Sequence, residues 1–330
     1  MTDNWEKMRL KHIIEAQQFN KKLIVDIFEE TRVMKSIVEK KGCIDLLKTK
    51  IMASLFYTIS TRTRLSFESA MLRLGGAVMN TEHPDILSSE SKGGTLEDMI
   101  QIVNEYADVI VLRHFETGSA QRAAAVSQVP IINAGDGSGQ HPTQALLDLY
   151  TIHEEVGGID GISIVMVGDL ANGRTIRSLC YFLAHYSGIR IYFISPRFLK
   201  MKEDILNYLR ENGIWYSELT NIKDALMNIS SKVDVIYQTQ IPRSVFGERI
   251  EDYSIAKKYL VVNKRLLQRM KKDAIIMHPF PRAEELSLEV DRDRRAVYFN
   301  QTKNGLYVRM ALLKMVLSEG GGSLHGETFK

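Results

Sequence analysis

Five consecutive residues, Ser60-Thr61-Arg62-Thr63-Arg64, bring three hydroxyls and two guanidiniums to a point where an apolar run ends and a helical pattern begins. That set suits a phosphate dianion. Backbone N–H groups at a helix N-terminus point at an anion, the helix dipole favours it, and arginine grips it through paired hydrogen bonds. A Ser or Thr N-cap followed by surface arginines accounts for one hydroxyl, but not for five phosphate-seeking residues in a row.

Other apolar runs also end in polar sets. Arg113 and His114 close one run, and alone such an arginine reads as an ordinary solvated residue. His141 and Gln144 are three apart at a helix start and therefore share a face. The preceding loop, Gly135-Asp136-Gly137-Ser138-Gly139, is a weak dinucleotide fingerprint because its third glycine is at the wrong offset. A second such turn spans residues 168–174, but the next run ends in Ser195-Pro196 where a ribose-binding Asp or Glu would be needed. A nicotinamide enzyme is thereby disfavoured, and Arg174 at the helix start offers an anion site instead. His278-Pro279-Phe280-Pro281-Arg282 closes a further run. Its prolines stiffen the loop and leave carbonyls without competing local donors, although a plain strand-to-helix turn would look the same.

The elements that must position these residues follow from the hydrophobic pattern. Strands are predicted at 51–57, 109–113, 130–134, 163–168, 190–195, 233–238, 274–278 and 296–299, with helices at 65–74, 96–106, 142–152, 174–185 and 202–212. Short, near-continuous apolar strands between helices indicate parallel sheets covered on both faces. The expected fold is α/β, with two doubly wound parallel-sheet domains joined by long helices. One domain covers residues 1–145 plus a returning helix at 305–318, and the other covers 146–304. The Gly-rich polar tail, 319–330, is expected to be disordered. Ligands of open parallel sheets bind at the carboxyl ends of strands, which is where the polar sets lie.

Length and composition narrow the class. A chain of 330 residues exceeds the size of most single cores, and 45% hydrophobic with 25% charged residues is ordinary for a globular protein. A net charge of +3 argues against a dedicated nucleic-acid binder. Cys43 and Cys180 lie far apart in no metal-like spacing, as idle thiols of a reducing compartment would. No signal-peptide h-region follows Met1, and no apolar run approaches the roughly 18 residues of a membrane helix. The expected location is the cytoplasm, or an organelle if a transit peptide has been omitted.

Taken in order, Ser60-Thr61-Arg62-Thr63-Arg64 with Ser66-Phe67-Glu68, Lys92-Gly93-Gly94-Thr95, Arg113-His114, His141-Pro142-Thr143-Gln144, Val167-Gly168-Asp169-Leu170 with Gly173-Arg174, and His278-Pro279-Phe280-Pro281-Arg282 resemble the catalytic chains of the aspartate/ornithine carbamoyltransferase family, aspartate branch. The resemblance runs from about residue 51 to residue 317. It implies a carbamoyl-phosphate domain and an amino-acid domain with the active site between them, in a homotrimer whose sites are shared between subunits. By motif it assigns Ser60, Thr61, Arg62, Thr63 and Arg113 to the phosphate. Thr63, Arg113 and His141 would polarise the carbamoyl oxygen, while Gln144 and the carbonyls of Phe280 and Pro281 would hold the carbamoyl nitrogen. Ser88 and Lys92 would come from a neighbouring subunit, and Arg174 would bind the acceptor α-carboxylate. No metal or organic cofactor, nucleic acid or membrane is implied. The reaction implied is carbamoyl transfer from carbamoyl phosphate to a small amino acid, as in pyrimidine biosynthesis.

The departures from the family pattern cluster. Where the family carries Phe-Tyr-Glu-Pro, this chain has Phe56-Tyr57-Thr58-Ile59. The family arginine that grips the aspartate β-carboxylate is replaced by Gln240, its companion glutamine by Pro242, and the arginine that pairs with the missing glutamate by Val245. Losing a charge together with its partner is less damaging than losing one alone. A guanidinium–carboxylate contact contributes about 1.5–3 kcal/mol, so aspartate is expected to bind about tenfold to a hundredfold worse unless Arg243 fills the vacancy. Three readings follow: aspartate as acceptor with a rearranged clamp, a different small amino acid, or a catalytically silent paralogue serving as an assembly subunit. The intact donor set argues against the third.

Overall fold

In the computed structural model, which describes residues 10–82 and 94–318, the apolar runs pair into two parallel sheets. The first holds β1 (Ile51–Phe56), β2 (Ala77–Glu82), β3 (Val109–His114) and β4 (Ile131–Asp136) in the order β2-β1-β3-β4. The second holds β5 (Ser163–Val167), β6 (Arg190–Ile194), β7 (Trp215–Leu219), β8 (Val235–Gln238) and β9 (Ile275–Met277) in the order β7-β6-β5-β8-β9. Interleaved with them are α1 (Lys21–Lys41), α2 (Thr61–Arg73), α3 (Leu96–Asn104), α4 (Ser119–Val126), α5 (Pro142–Val156), α6 (Arg174–Leu183), α7 (Glu203–Glu211), α8 (Ala225–Ile229), α9 (Ile250–Tyr259), α10 (Lys264–Leu267) and α11 (Tyr298–Leu317). This is the expected α/β fold. In each sheet the chain turns back past its first strand, leaving a switch point beside β1 in one and beside β5 in the other. None of the described helices is long and apolar enough to cross a membrane.

The described chain divides into two compact units, one ending at Thr143 and resuming at Gly305, the other Gln144–Asn304. Helix α5 carries the chain out of the first unit, and α11 carries it back. Tyr307, Val308, Met310, Ala311, Leu312 and Leu313 of α11 are all buried, the all-round apolarity of an interior helix. Two polar residues of its later turns are tied down within the first unit: Arg309 donates to Ser66 at 2.7 Å and Lys314 to Glu30 at 2.8 Å.

Strands β5 and β8, at the centre of the second sheet, are buried along their whole length, so their sequences read as near-continuous apolar runs. In the first unit Ile110, Leu112 and Ile131 pack with Ile100, Ala120 and Ala123 of the covering helices. In the second, Val165, Ile236 and Ile276 pack with Leu226, Leu260 and Leu266.

One predicted element is wrong. Residues 296–299 were expected as a strand, but Ala296 forms only an isolated bridge to Ile276, and α11 starts at Tyr298. Val297 donates to the Ile276 carbonyl at 3.0 Å, and its own carbonyl then accepts from Gln301 at 2.8 Å as the helix begins. Ala296 and Val297 thus serve one bridge and Tyr298 a buried helix start, while Phe299 is exposed. Strands β2 and β7 lie at sheet edges, where polar residues such as Asn80, Ser217 and Glu218 interrupt the apolar signal, and neither is among the predicted strands. The tail at 319–330 lies outside the described residues.

Candidate active site

Strands β1, β3 and β4 are neighbours, and their carboxyl ends bring three of the predicted sets to one end of the first sheet. Ser60 is the N-cap of α2 but its side chain makes no capping bond, so its hydroxyl is not consumed by the helix. Ser60 and Thr63 are buried, while Thr61 and Arg62 are exposed. Although much of its surface is open, protein packed around the Arg62 guanidinium lowers its pKa through desolvation. A partly desolvated cation at a helix N-terminus gains more from an anion than a fully hydrated one does. Arg64, by contrast, faces Glu68 one turn on at 3.9 Å.

Arg113 is the penultimate residue of β3, opposite Phe56 of β1. Its Nε donates to the Thr58 hydroxyl at 3.0 Å and its Nη1 to the Ala134 carbonyl at 3.1 Å. The guanidinium plane is therefore set by residues of the two flanking strand ends. His114 has a local role: it is buried, stacks on Phe115 at 4.2 Å, and its Nδ1 accepts the Glu116 N–H at 3.0 Å.

His141 is buried at the start of α5, with its Nδ1 3.5 Å from the Thr143 hydroxyl. The glycine loop before it is a pinned turn. Asp136 accepts from the Gln140 and Gly118 N–H groups, each at 2.8 Å, and from Asn133 at 3.2 Å. Gly137 has φ +49°, and a Cβ there would lie 2.7 Å from the Phe115 carbonyl oxygen. Its glycines answer to backbone packing, which explains the near-miss of a dinucleotide fingerprint.

In the second unit, β5, β8 and β9 are neighbours, so the sets after them also gather at one sheet end. Gly168 follows β5 at φ +127°, and a Cβ would meet the Thr239 hydroxyl at 2.3 Å. The Thr239 side chain in turn donates to the Val167 carbonyl at 2.9 Å, locking the ends of β5 and β8 together. Arg174 opens α6, after a turn in which Asp169 accepts from the Asn172 N–H at 3.1 Å. Gln240 and Pro242 are half-buried beyond β8. Arg243 is exposed, donating to the Gly247 carbonyl at 2.8 Å and lying 5.5 Å from the Tyr253 ring. Val245 packs against the core of this unit.

After β9 the chain is held by His278. Its Nδ1 accepts the Phe280 N–H at 2.9 Å, so the ring proton sits on Nε2, which donates to Glu285 at 2.9 Å. Phe280 has φ +54° and the Phe280–Pro281 bond is cis. Burial, the largest influence, pushes the Glu285 carboxyl up, but hydrogen bonds from His278 and from the Ala283 and Glu285 N–H groups bring it below its ordinary value. A carboxyl lowered by folding holds its proton less tightly than in the unfolded chain. Its stabilisation is therefore complete above the ordinary carboxylate range and is lost as pH falls through the lowered value. Glu285→Gln is expected to flatten the loss of urea-denaturation stability as pH falls below about 5. An unchanged slope would show that Glu285 adds nothing pH-dependent.

Ser88 and Lys92 lie outside the described residues. Sequence reasoning missed a buried group in the second unit. Asp148, one helical turn after Gln144 on α5, accepts from Gln144, Gln301 and Tyr237. The spacing of Gln144 and Asp148 was a readable helical pair, but nothing in the sequence announced Gln301 or Tyr237.

Residues 11–154 match the family described as aspartate/ornithine carbamoyltransferase, carbamoyl-P binding domain, and residues 160–316 match its Asp/Orn binding domain. The chain is 52% identical over 316 residues to chloroplastic aspartate carbamoyltransferase of Arabidopsis thaliana, across 96% of this chain and 80% of that protein. It is 45% identical over 314 residues to the aspartate carbamoyltransferase catalytic subunit of Methanocaldococcus jannaschii, across 95% of this chain and 100% of that one. A crystal structure of that catalytic subunit superposes with a TM-score of 0.86 at 43% identity, covering 96% of this chain and 100% of its own. Trypanosoma cruzi aspartate transcarbamoylase, solved with carbamoyl phosphate and aspartate, superposes with a TM-score of 0.88 at 36% identity over 94% of this chain and 97% of its own.

Proposed function

This chain belongs to the aspartate/ornithine carbamoyltransferase family, and we propose that it moves the carbamoyl group of carbamoyl phosphate onto the amine of aspartate, as in pyrimidine biosynthesis. The observation that carries the donor half is the fixed Arg113 guanidinium on β3, flanked by the ends of β1 and β4 with Ser60, Thr61, Arg62, Thr63 and His141.

The chemistry asks little of these residues beyond charge and alignment. A neutral amine attacks the carbamoyl carbon, forming a C–N bond, and negative charge builds on the carbamoyl oxygen. Thr63, Arg113 and His141 would stabilise that charge. The C–O bond to phosphate then breaks, and the proton shed by the amine leaves with hydrogen phosphate. Ser60, Thr61, Arg62 and Thr63 would hold the phosphate, and Gln144 with the Phe280 and Pro281 carbonyls would accept from the carbamoyl nitrogen. No protein nucleophile is needed, so catalysis is alignment plus electrostatic stabilisation.

Isothermal calorimetry tests the donor half alone. Carbamoyl phosphate is expected to bind without an acceptor, and Arg62→Ala to weaken binding about tenfold to a hundredfold. Absence of binding by the unaltered protein would remove the transferase reading and favour a silent paralogue.

One observation favours a second acceptor. Gln240 and Pro242 stand where the family holds the β-carboxylate, and Arg243 is engaged with Gly247 and Tyr253. An amino acid lacking a carboxylate at that position would suit this segment. A screen of amino acids for phosphate release separates the two readings.

The working assembly in this reading is a homotrimer with shared sites, Ser88 and Lys92 being lent by a neighbour. Arg62→Ala and Lys92→Ala proteins, each nearly inactive, are expected to regain part of the activity when mixed and reassembled, because some sites then carry neither change. Mixed trimers without recovery would rule shared sites out. The compartment in this reading is the cytoplasm, consistent with free Cys43 and Cys180, while the Arabidopsis and pea relatives are named chloroplastic. Cell fractionation decides it.

A further inference from the structure

We infer that Asp148, together with Gln301, is the positioning group of the carbamoyl-nitrogen site, fixing which end of the Gln144 amide is presented and how the loop after β9 runs. The inference rests on the carbamoyl-transfer reading above, and all of its residues belong to the second unit.

Asp148, Tyr237, Gln301 and His278 are essentially fully buried. The Asp148 Oδ1 accepts from Gln144 Nε2 at 2.9 Å and from Gln301 Nε2 at 2.6 Å, and its Oδ2 accepts from the Tyr237 hydroxyl at 2.5 Å. Its oxygens accept from all three groups, so Asp148 faces the NH2 end of both amides. That leaves Gln144 presenting its carbonyl oxygen. A carbamoyl NH2 is a pair of donors, and an acceptor is what it requires.

Gln301 passes the constraint onward. Its Oε1 accepts the His278 N–H at 3.0 Å, and the His278 Nδ1 accepts the Phe280 N–H at 2.9 Å. The same carboxylate that orients Gln144 is thus linked, through one amide and one imidazole, to the residues whose carbonyls complete the acceptor set. Such a network holds its members more firmly than isolated bonds would, because each bond polarises the next in a dry interior. Tyr237 stands apart from this relay: its hydroxyl bonds Asp148 Oδ2 and the Thr175 side chain on α6.

Acetyl phosphate isolates the effect, since it keeps the phosphate and the carbonyl but carries a methyl group in place of NH2. The ratio of its dissociation constant to that of carbamoyl phosphate, measured by calorimetry, reads recognition of the nitrogen and nothing else. The unaltered protein is expected to prefer carbamoyl phosphate by about tenfold to a hundredfold. Asp148→Leu and Gln301→Met should each erase most of that preference, about tenfold, while Tyr237→Phe lowers thermal stability and leaves the ratio intact. A merely structural role would weaken both ligands together and leave the ratio unchanged. If Asp148→Leu does not fold, Gln301→Met decides. Ratios within about twofold of the unaltered protein in the folded variants overturn the inference. If the unaltered protein itself shows no preference, the carbamoyl-transfer reading fails instead.

Discussion

Arg113→Ala is expected to lower kcat/KM for carbamoyl phosphate by about 10²- to 10³-fold, the usual cost of removing a donor aimed at a developing oxyanion. The reason is positional as much as electrostatic. Bonds to Thr58 and Ala134 hold the guanidinium plane before any ligand arrives, so little ordering is left to be done in the transition state. Arg113→Lys keeps the charge and loses the fork, and should recover only part of the rate. Thr58→Val removes one of the two holding bonds and should cost about tenfold, whereas Thr58→Ser should be nearly neutral. Steady-state kinetics of the four variants checks the series. An Arg113→Ala protein within about threefold of the unaltered rate would exclude Arg113 from the reaction.

Gln240→Arg combined with Pro242→Gln is expected to raise kcat/KM for aspartate by about tenfold to a hundredfold, the value of a guanidinium–carboxylate contact. The gain should exceed that for amino acids without a β-carboxylate. Thr58→Glu and Val245→Arg are best added together, because a lone buried charge costs more than a pair. Val245 packs against the core of its unit, so Val245→Arg alone should destabilise. Arg243→Ala separates the acceptor readings: a large loss with aspartate means that Arg243 leaves Gly247 and Tyr253 to become the clamp. A reconstructed segment that leaves aspartate kinetics unchanged would show that Gln240 and Pro242 do not set specificity.

Central strands and the candidate donor set were legible in the sequence because buried runs and clustered polar residues both leave local marks. Buried parallel strands such as β5 and β8 show uninterrupted apolar residues, and the phosphate-seeking set Ser60 to Arg64 is contiguous. Two of the four edge strands were not legible, since β2 and β7 are half-solvated and mix polar with apolar residues, whereas the edge strands β4 and β9 are buried and read as apolar runs. The apolar stretch at 296–299 misled for a different reason, as Val297 and Tyr298 are buried at a helix start and read in sequence as a short buried strand would. At the site, Arg113 looked ordinary in sequence because its partners, Thr58 and Ala134, come from other strands. Asp148 was hidden in the same way: one partner lies four residues away, but Gln301 is 153 positions distant. Motifs record what a ligand demands of adjacent residues. They do not record the buried groups that hold those residues still.

The most direct test of carbamoyl transfer is to give the purified protein carbamoyl phosphate and aspartate and to measure inorganic phosphate and N-carbamoylaspartate in the same samples. The two products are expected in equal amounts, only when both substrates are present, and almost to vanish with Arg113→Ala. Phosphate without a carbamoylated amine, or no product with aspartate or any other amino acid from a folded protein that binds carbamoyl phosphate, would contradict it.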